Sequence, residues 1–399
     1  MNTTQNMAEF LLGTDARATT AANRLAAAAT WHEAIALATT WKVVPQLAGR
    51  IQSLRIGMPE DDTRALRREF LRVYGQSASR AARATLAMRE LERAGIAVAA
   101  FKGVASMAVL YGGGPKQRSI GDGDLLILRK DIAAALACVE RIGFRRKGEE
   151  TLAEYLSFVE NAPRFAGNEA MALYGEDGSE IDLHWSIAGS GLFVEEILKR
   201  AEKTELMDVT IPVVDGADGL LLTIHHAIRE DLAMESVCRD LLDVRLWCER
   251  LEQRNEFEIA MKRSKEAGSH PAALAVCGVL SGYDDTTAAA RFARLLSDHV
   301  SRSHRQSAAR LVELFQYQMK RGRLEKDVLL LVHSRPWGQI LRGLVSDWAG
   351  YRRSMQTLEE QLGDRQPLPT RFAMLAKSIP GLQGVRLARE LALVKYRSR

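Results

Sequence analysis

Two aspartates one residue apart, Asp122 and Asp124, open an apolar run, Leu125-Leu126-Ile127-Leu128. Side chains at i and i+2 on a strand point to the same side. The pattern therefore predicts two carboxylates aimed into one space while Leu125 and Ile127 anchor the strand in a core. Like charges that close repel, and each raises the other's pKa unless a cation sits between them. Magnesium, a hard ion held by one or two carboxylates plus substrate phosphates, answers that repulsion.

A third carboxylate comes from further along. Glu169 to Gly175 reads as a strand, Asp177-Gly178 as a hairpin turn, and Ser179 to Ile187 as the returning strand. Ile181, Leu183 and Trp185 alternate with Glu180, Asp182 and His184, so Asp182 stands between apolar neighbours on a sheet. An Asp-x-Asp at one strand start plus an Asp inside a later strand is the layout of a two-metal phosphoryl-transfer centre. His184 shares a face with Asp182; it either orients that aspartate through a hydrogen bond or touches substrate, since magnesium prefers oxygen ligands.

The chain before the first aspartate leads up to this centre. Residues 7–94 read as helices, with Leu71, Tyr74, Ala78, Ala82, Leu86 and Leu91 at helical spacing and Trp31 and Trp41 in the core. A short helix is expected to stop before Pro45. Gly95 ends the long helix, Ile96 to Phe101 forms the first strand, and Val104 to Tyr111 a short helix. Lys102 lies at the strand–helix junction. It is either a surface lysine at a turn or a cation meeting a triphosphate where free backbone N–H groups favour anions. Gly112-Gly113-Gly114 lacks the Gly-Lys-Ser/Thr of a phosphate loop and is expected to approach a ligand or close over it. Arg118 either binds phosphate bidentately or holds the aspartates by a salt bridge.

Beyond the aspartates, Asp131 to Ile142 reads as a helix and Phe144 to Lys147 as a return to the sheet. Glu150 to Phe158 reads as a short helix and Asn161 to Asn168 as a loop beside the site. Residues 190–218 read as a connection to a second helical region, Leu220 to Ile228 and Cys238 to Leu251. His225-His226 there is either a packing pair or an acid/base site. From Asn255 onward only helix and loop are visible, with a boundary at Asp364 to Pro369.

Composition narrows the class. The 399 residues allow two or three packed regions, and 47% hydrophobic with 26% charged residues is ordinary for a globular protein. No apolar run reaches the ~18 residues of a membrane helix, and the N-terminus has no signal-peptide pattern. The four cysteines are spaced neither as a zinc site nor as a disulfide framework, so a cytoplasmic location is expected. The net charge of +5 gathers late, from Arg291 and Arg294 to Arg399. That run is either a solvated helix face or a surface for a polyanion such as tRNA.

Taken together, Lys102-Gly103, Tyr111, Arg118, Asp122-x-Asp124-Leu-Leu and Ile181-Asp182-Leu183-His184-Trp185 resemble a large, mostly uncharacterised bacterial nucleotidyltransferase family of the polymerase-beta-like superfamily. Trp31-His32 through Val44-Pro45-Gln46-Leu47 is similar to its N-terminal helices, and Arg239-Asp240-Leu241-Leu242-Asp243 to the helix after its catalytic core. The resemblance covers residues 25–250. Two positions depart from the superfamily pattern: Val104 stands where a serine follows glycine, and Gly123 stands where an aliphatic residue is usual.

The resemblance implies an α+β fold, a small mixed sheet flanked by helical regions. The division is 1–94 (helical), 95–190 (catalytic core), 191–255 (helices completing the nucleotide site) and 256–399 (C-terminal helices). It implies a magnesium-dependent nucleotidyltransferase moving a nucleoside monophosphate from an NTP, ATP foremost, to an acceptor hydroxyl. Asp122, Asp124 and Asp182 would hold two magnesium ions, and Asp182 would help deprotonate the acceptor. Lys102, Gly103, Arg118, Arg239 and Asp243 would bind the nucleotide, with His184 behind the metal ligands. The acceptor is a small molecule, a peptide or protein, or an RNA such as tRNA. The alternative is a catalytically silent nucleotide- or partner-binding module of the same fold.

Overall fold

The structure, a computed structural model, describes residues 2–146, 170–187, 191–229 and 234–321. The expected helix at 150–158, the loop at 161–168, the boundary at 364–369 and the basic tail lie outside these residues. Five helices come first: α1 (Thr3–Leu12), α2 (Asp15–Ala27), α3 (Trp31–Thr40), α4 (Val44–Leu54) and the long α5 (Glu60–Arg93). Then follow β1 (Val98–Ala100), α6 (Lys102–Leu110), β2 (Gly123–Ile127), α7 (Ile132–Arg141) and β3 (Phe144–Arg146). The hairpin of β4 (Ala170–Gly175) and β5 (Glu180–His184) precedes α8 (Val194–Arg200) and a second hairpin, β6 (Glu202–Leu206) and β7 (Val209–Val213). The described chain ends in helices α9 (Gly216–Arg229), α10 (Met234–Gln253), α11 (Phe257–Glu266), α12 (His270–Tyr283), α13 (Ala288–His299) and α14 (Arg302–Arg321).

The seven strands form one mixed sheet in the order β3-β4-β5-β2-β1-β7-β6. Central β2 runs antiparallel to β1 and parallel to β5, and its register sets Asp124 opposite Asp182. This is the α+β architecture expected, with helices on either side of the sheet in the chain.

Two apolar cores support it. One covers the sheet with the second half of α5, α6 and α7; the other joins α1–α4 to α9–α14, so helices from both ends of the described chain share one interior. Helix α5 reaches both, with Leu66 in the helical core and Ala81 to Leu91 against the sheet. Its buried stripe is Ser77, Ala81, Ala84, Met88 and Leu91. Leu71 is 56% exposed, so the expected stripe lies about one residue off the true one. The small alanines let α5 lie close to the strands.

That closeness explains Gly123. A Cβ there would stand 2.8 Å from the Ala84 Cβ and 3.1 Å from Ile181 Cγ2. The glycine is a packing requirement where an aliphatic side chain would collide with α5. Gly123→Ala is expected to destabilise by about 1–3 kcal/mol, with partial recovery when Ala84→Gly reopens the space; denaturant midpoints of the three proteins check this.

The short helix α3 stops at Thr40, before Pro45, and the proline itself sits in the first turn of α4, where its missing N–H is harmless. Two expectations are corrected. Residues 190–218 are not a plain connection, because they supply α8 and the β6–β7 hairpin that extends the sheet at β1. The glycine loop closes on the chain's own backbone: a Cβ on Gly113 would stand 2.8 Å from the Glu205 carbonyl, and the Met207 N–H donates to the Gly113 carbonyl at 2.9 Å. Gly113 thus permits close approach to β6 and the hairpin turn.

Candidate active site

Phe101 leaves β1 extended, and its N–H donates to the Asp124 carbonyl at 3.1 Å. Lys102 then begins α6 with φ +48, a left-handed backbone that costs a side-chain-bearing residue on the order of 1 kcal/mol. The turn delivers its ammonium to Asp124: Lys102 Nζ donates to Asp124 Oδ1 at 2.6 Å. His184 Nε2 donates to the same oxygen at 3.0 Å, and its ring stands edge-on to Phe101 at 4.8 Å.

Asp182 faces the same space. Ligand atoms of Asp124, Asp182 and His184 all lie within 4.8 Å of one another, near enough to hold one metal ion. The two carboxylates are not equivalent. Burial alone would raise the Asp124 carboxyl, but the Lys102 ammonium and His184 outweigh it and hold that group below the usual carboxylate range. Asp182 has no such partner; burial, then the charges of Asp124 and Asp122, push it up to about 7. Its Oδ1 is buried without a hydrogen-bond partner. A divalent cation would relieve that orphaned oxygen and the mutual repulsion together, so the donor set fits an ion.

The sequence set Asp122 beside Asp124 and His184 behind them. The structure brings His184 into the group of three, while Asp122 stands one residue before β2 and lines the adjoining cavity.

That cavity, about 360 Å³, opens beside Asp124 between the sheet and helices α9 and α10. Lys102, Gly103, Arg118, Asp122, Arg239 and Asp243 all line it, so the residues expected around the nucleotide converge. Their roles divide. Arg118 donates from Nε to both Asp243 oxygens at 3.1 Å and from Nη2 to Oδ2 at 2.7 Å, and Tyr111 Oη donates to Asp243 at 2.9 Å. Both members of the ion pair are 1% exposed. The salt bridge weighed for Arg118 therefore exists, but to Asp243 on α10 and not to the metal-side aspartates. It fastens the loop before β2 to that helix.

Arg239 is the contrasting case. Its Nε and Nη1 are buried without a hydrogen-bond partner. Burial, reinforced by the neighbouring Arg118 charge, lowers its pKa, yet a guanidinium does not deprotonate in proteins. The cavity thus carries a guanidinium that feels the charges of Asp240, Asp243 and Asp122 but has two buried N–H groups without a hydrogen-bond acceptor.

Thr40, Lys42 and Asp240 are among the cavity residues not picked out as site residues from the sequence, and His226, weighed there as an acid/base residue, lines the cavity as well. His226 Nδ1 donates to Asp240 Oδ2 at 2.6 Å. A histidine and an aspartate separated by 14 residues leave no local signature, because the α9–α10 hairpin alone pairs them. Away from the site, Arg291 of the basic run pairs with Glu252 on α10.

Among the described residues no helix is long and apolar enough to cross a membrane. Residues 27–281 match the model of a protein family described as an uncharacterised nucleotidyltransferase. No curated protein matches the chain.

Proposed function

Because the chain belongs to this uncharacterised nucleotidyltransferase family, we propose that it is a magnesium-dependent enzyme moving a nucleoside monophosphate from an NTP, ATP foremost, to an acceptor hydroxyl with release of pyrophosphate. One observation carries the reading. A single cavity has Asp122 and Asp124 in its wall, Asp124 being grouped with Asp182 and His184, and also Arg239, two of whose buried N–H groups have no hydrogen-bond acceptor. A metal-bound triphosphate complements both.

Asp124 and Asp182 would hold the ion, with His184 hydrogen-bonded to Asp124 behind them, and Asp122 would help to hold a second. Magnesium, when bound, neutralises phosphate charge and polarises the reacting phosphorus. Lys102 exchanges its grip on Asp124 for a phosphate oxygen. Gly103 packs against Ile120, where a Cβ would stand 3.1 Å from Cγ2, and the N-terminal N–H groups of α6 meet the same anion. Arg239 takes the outer phosphates, while Arg118 and Asp243 brace the wall. Catalysis is then mainly positioning and charge neutralisation. The acceptor is a small molecule, a peptide or an RNA such as tRNA; cytoplasmic location fits any of them.

Calorimetric titration with ATP tests this. Affinity should rise at least about tenfold with magnesium, and Arg239→Gln should weaken binding about 10–100-fold, equivalent to roughly 1.5–3 kcal/mol for lost charge-assisted bonds. Binding indifferent to magnesium would instead mark a silent binding module, and an unaffected Arg239→Gln would remove this residue from the site.

A further inference from the structure

The pairing of His226 with Asp240 has no part in holding the ion or the triphosphate, yet both residues line the same cavity as Asp124 and Lys102. The two come from different helices, α9 and α10, and meet at 2.6 Å between Nδ1 and Oδ2. Asp240 is 6% exposed and His226 25%, so the carboxylate is inside and the imidazole reaches accessible space. Burial alone would raise the Asp240 carboxyl, but His226, with help from Arg239, holds it down, so it stays an acceptor. A carboxylate bound at Nδ1 fixes the proton there and leaves the Nε2 lone pair for a substrate.

Resting on the transfer reading, we propose that His226, positioned by Asp240, is the proton acceptor for the incoming substrate, and that this substrate therefore presents a neutral hydroxyl. The cavity already carries phosphate cations in Lys102 and Arg239. What it lacks is a base free of the ion, because a carboxylate ligating a divalent cation, as Asp182 does in the loaded site, is a poor one. In the step, the acceptor O–H proton moves to His226 Nε2 as its oxygen bonds the α-phosphorus. The bond from that phosphorus to the bridging oxygen breaks, and the electron pair leaves on pyrophosphate. An acceptor that is already an anion, such as a phosphate group, needs no such base and is disfavoured.

The test uses the full chain with labelled histidine, magnesium and the non-hydrolysable analogue α,β-methylene-ATP. His226→Asn, or His226→Gln where the first fails to fold, identifies the His226 resonance among the 8 histidines. In the complex the His226 proton should sit on Nδ1, held by Asp240, with Nε2 bare. Asp240→Asn should shift that tautomer, a signature that loss of mere packing would not produce. The His226 variant should bind the analogue within about twofold of wild type. An imidazolium in the complex, or analogue binding weakened tenfold or more, would make His226 a phosphate ligand and overturn the proposal. Failure of the wild-type protein to bind the analogue at all would overturn the transfer reading itself, and is told apart because it appears before any variant is made.

Discussion

Asp182→Asn is expected to abolish nucleotidyl transfer and yet to raise the melting temperature of the ion-free protein. Loss of a metal-binding carboxylate should lower the rate on the order of 10³-fold, about 4 kcal/mol of transition-state stabilisation. Stability should move the other way. In wild type, burial and then Asp124 and Asp122 push this carboxyl from 3.8 up to about 7. The native chain therefore binds a proton that the unfolded chain has released. The stability this group contributes is complete below about pH 4 and is lost as pH rises through 7. Asparagine cannot ionise, so that slope should vanish and the variant should gain about 2 °C or more near pH 8. Added magnesium should stabilise wild type and leave the variant unmoved. Melting curves from pH 4 to 8, with and without the ion, check every part; a variant that melts lower throughout would show that Asp182 is not a strained carboxylate.

The second large effect is structural. Asp243→Ala leaves the Arg118 guanidinium buried without a counter-charge and removes the acceptor of Tyr111. Breaking such a pair costs about 3–5 kcal/mol. Replacing both residues with leucine should recover most of it, because no charge is then left in the interior. Urea denaturation of the two single variants and the double gives the coupling. If Arg118 instead binds phosphate directly, Arg118→Leu in the double variant would lose ATP affinity as fully as Arg239→Gln does. Recovery of both fold and affinity identifies the pair as a brace.

The grouping of Asp124 with Asp182 and His184 was legible because its patterns are local. Asp122 and Asp124 at a strand start, and Asp182 between Ile181 and Leu183, are patterns of period two that put carboxylates on a sheet. The register that brings Asp182 opposite Asp124 follows from two parallel strands. What escaped was set by contacts between distant segments. The β6–β7 hairpin turns on Met207 and Asp208, at φ 50 and 64, a left-handed pair normally signalled by Asn-Gly or Asp-Gly. Its outer strand carries Glu202, Lys203 and Glu205, which read as loop. Arg118 finds Asp243 across 125 residues and His226 finds Asp240 on another helix, so neither partnership exists in any window of sequence. Gly112 to Gly114 was misread for a related reason: glycine announces a close approach, but not whether the neighbour is a ligand or the chain's own backbone.

The interior shared by α1–α4 and α9–α14 carries a consequence for how the molecule is made. Helices α1–α4 pack on one another and on α5, but the face they share with α9–α14 stays open until residues beyond 216 have been made. During that interval Phe10, Leu12, Trp31 and Leu47, all but sealed in the finished protein, face water or a chaperone. Synthesis at about 5–20 residues per second makes that exposure last on the order of ten seconds or longer.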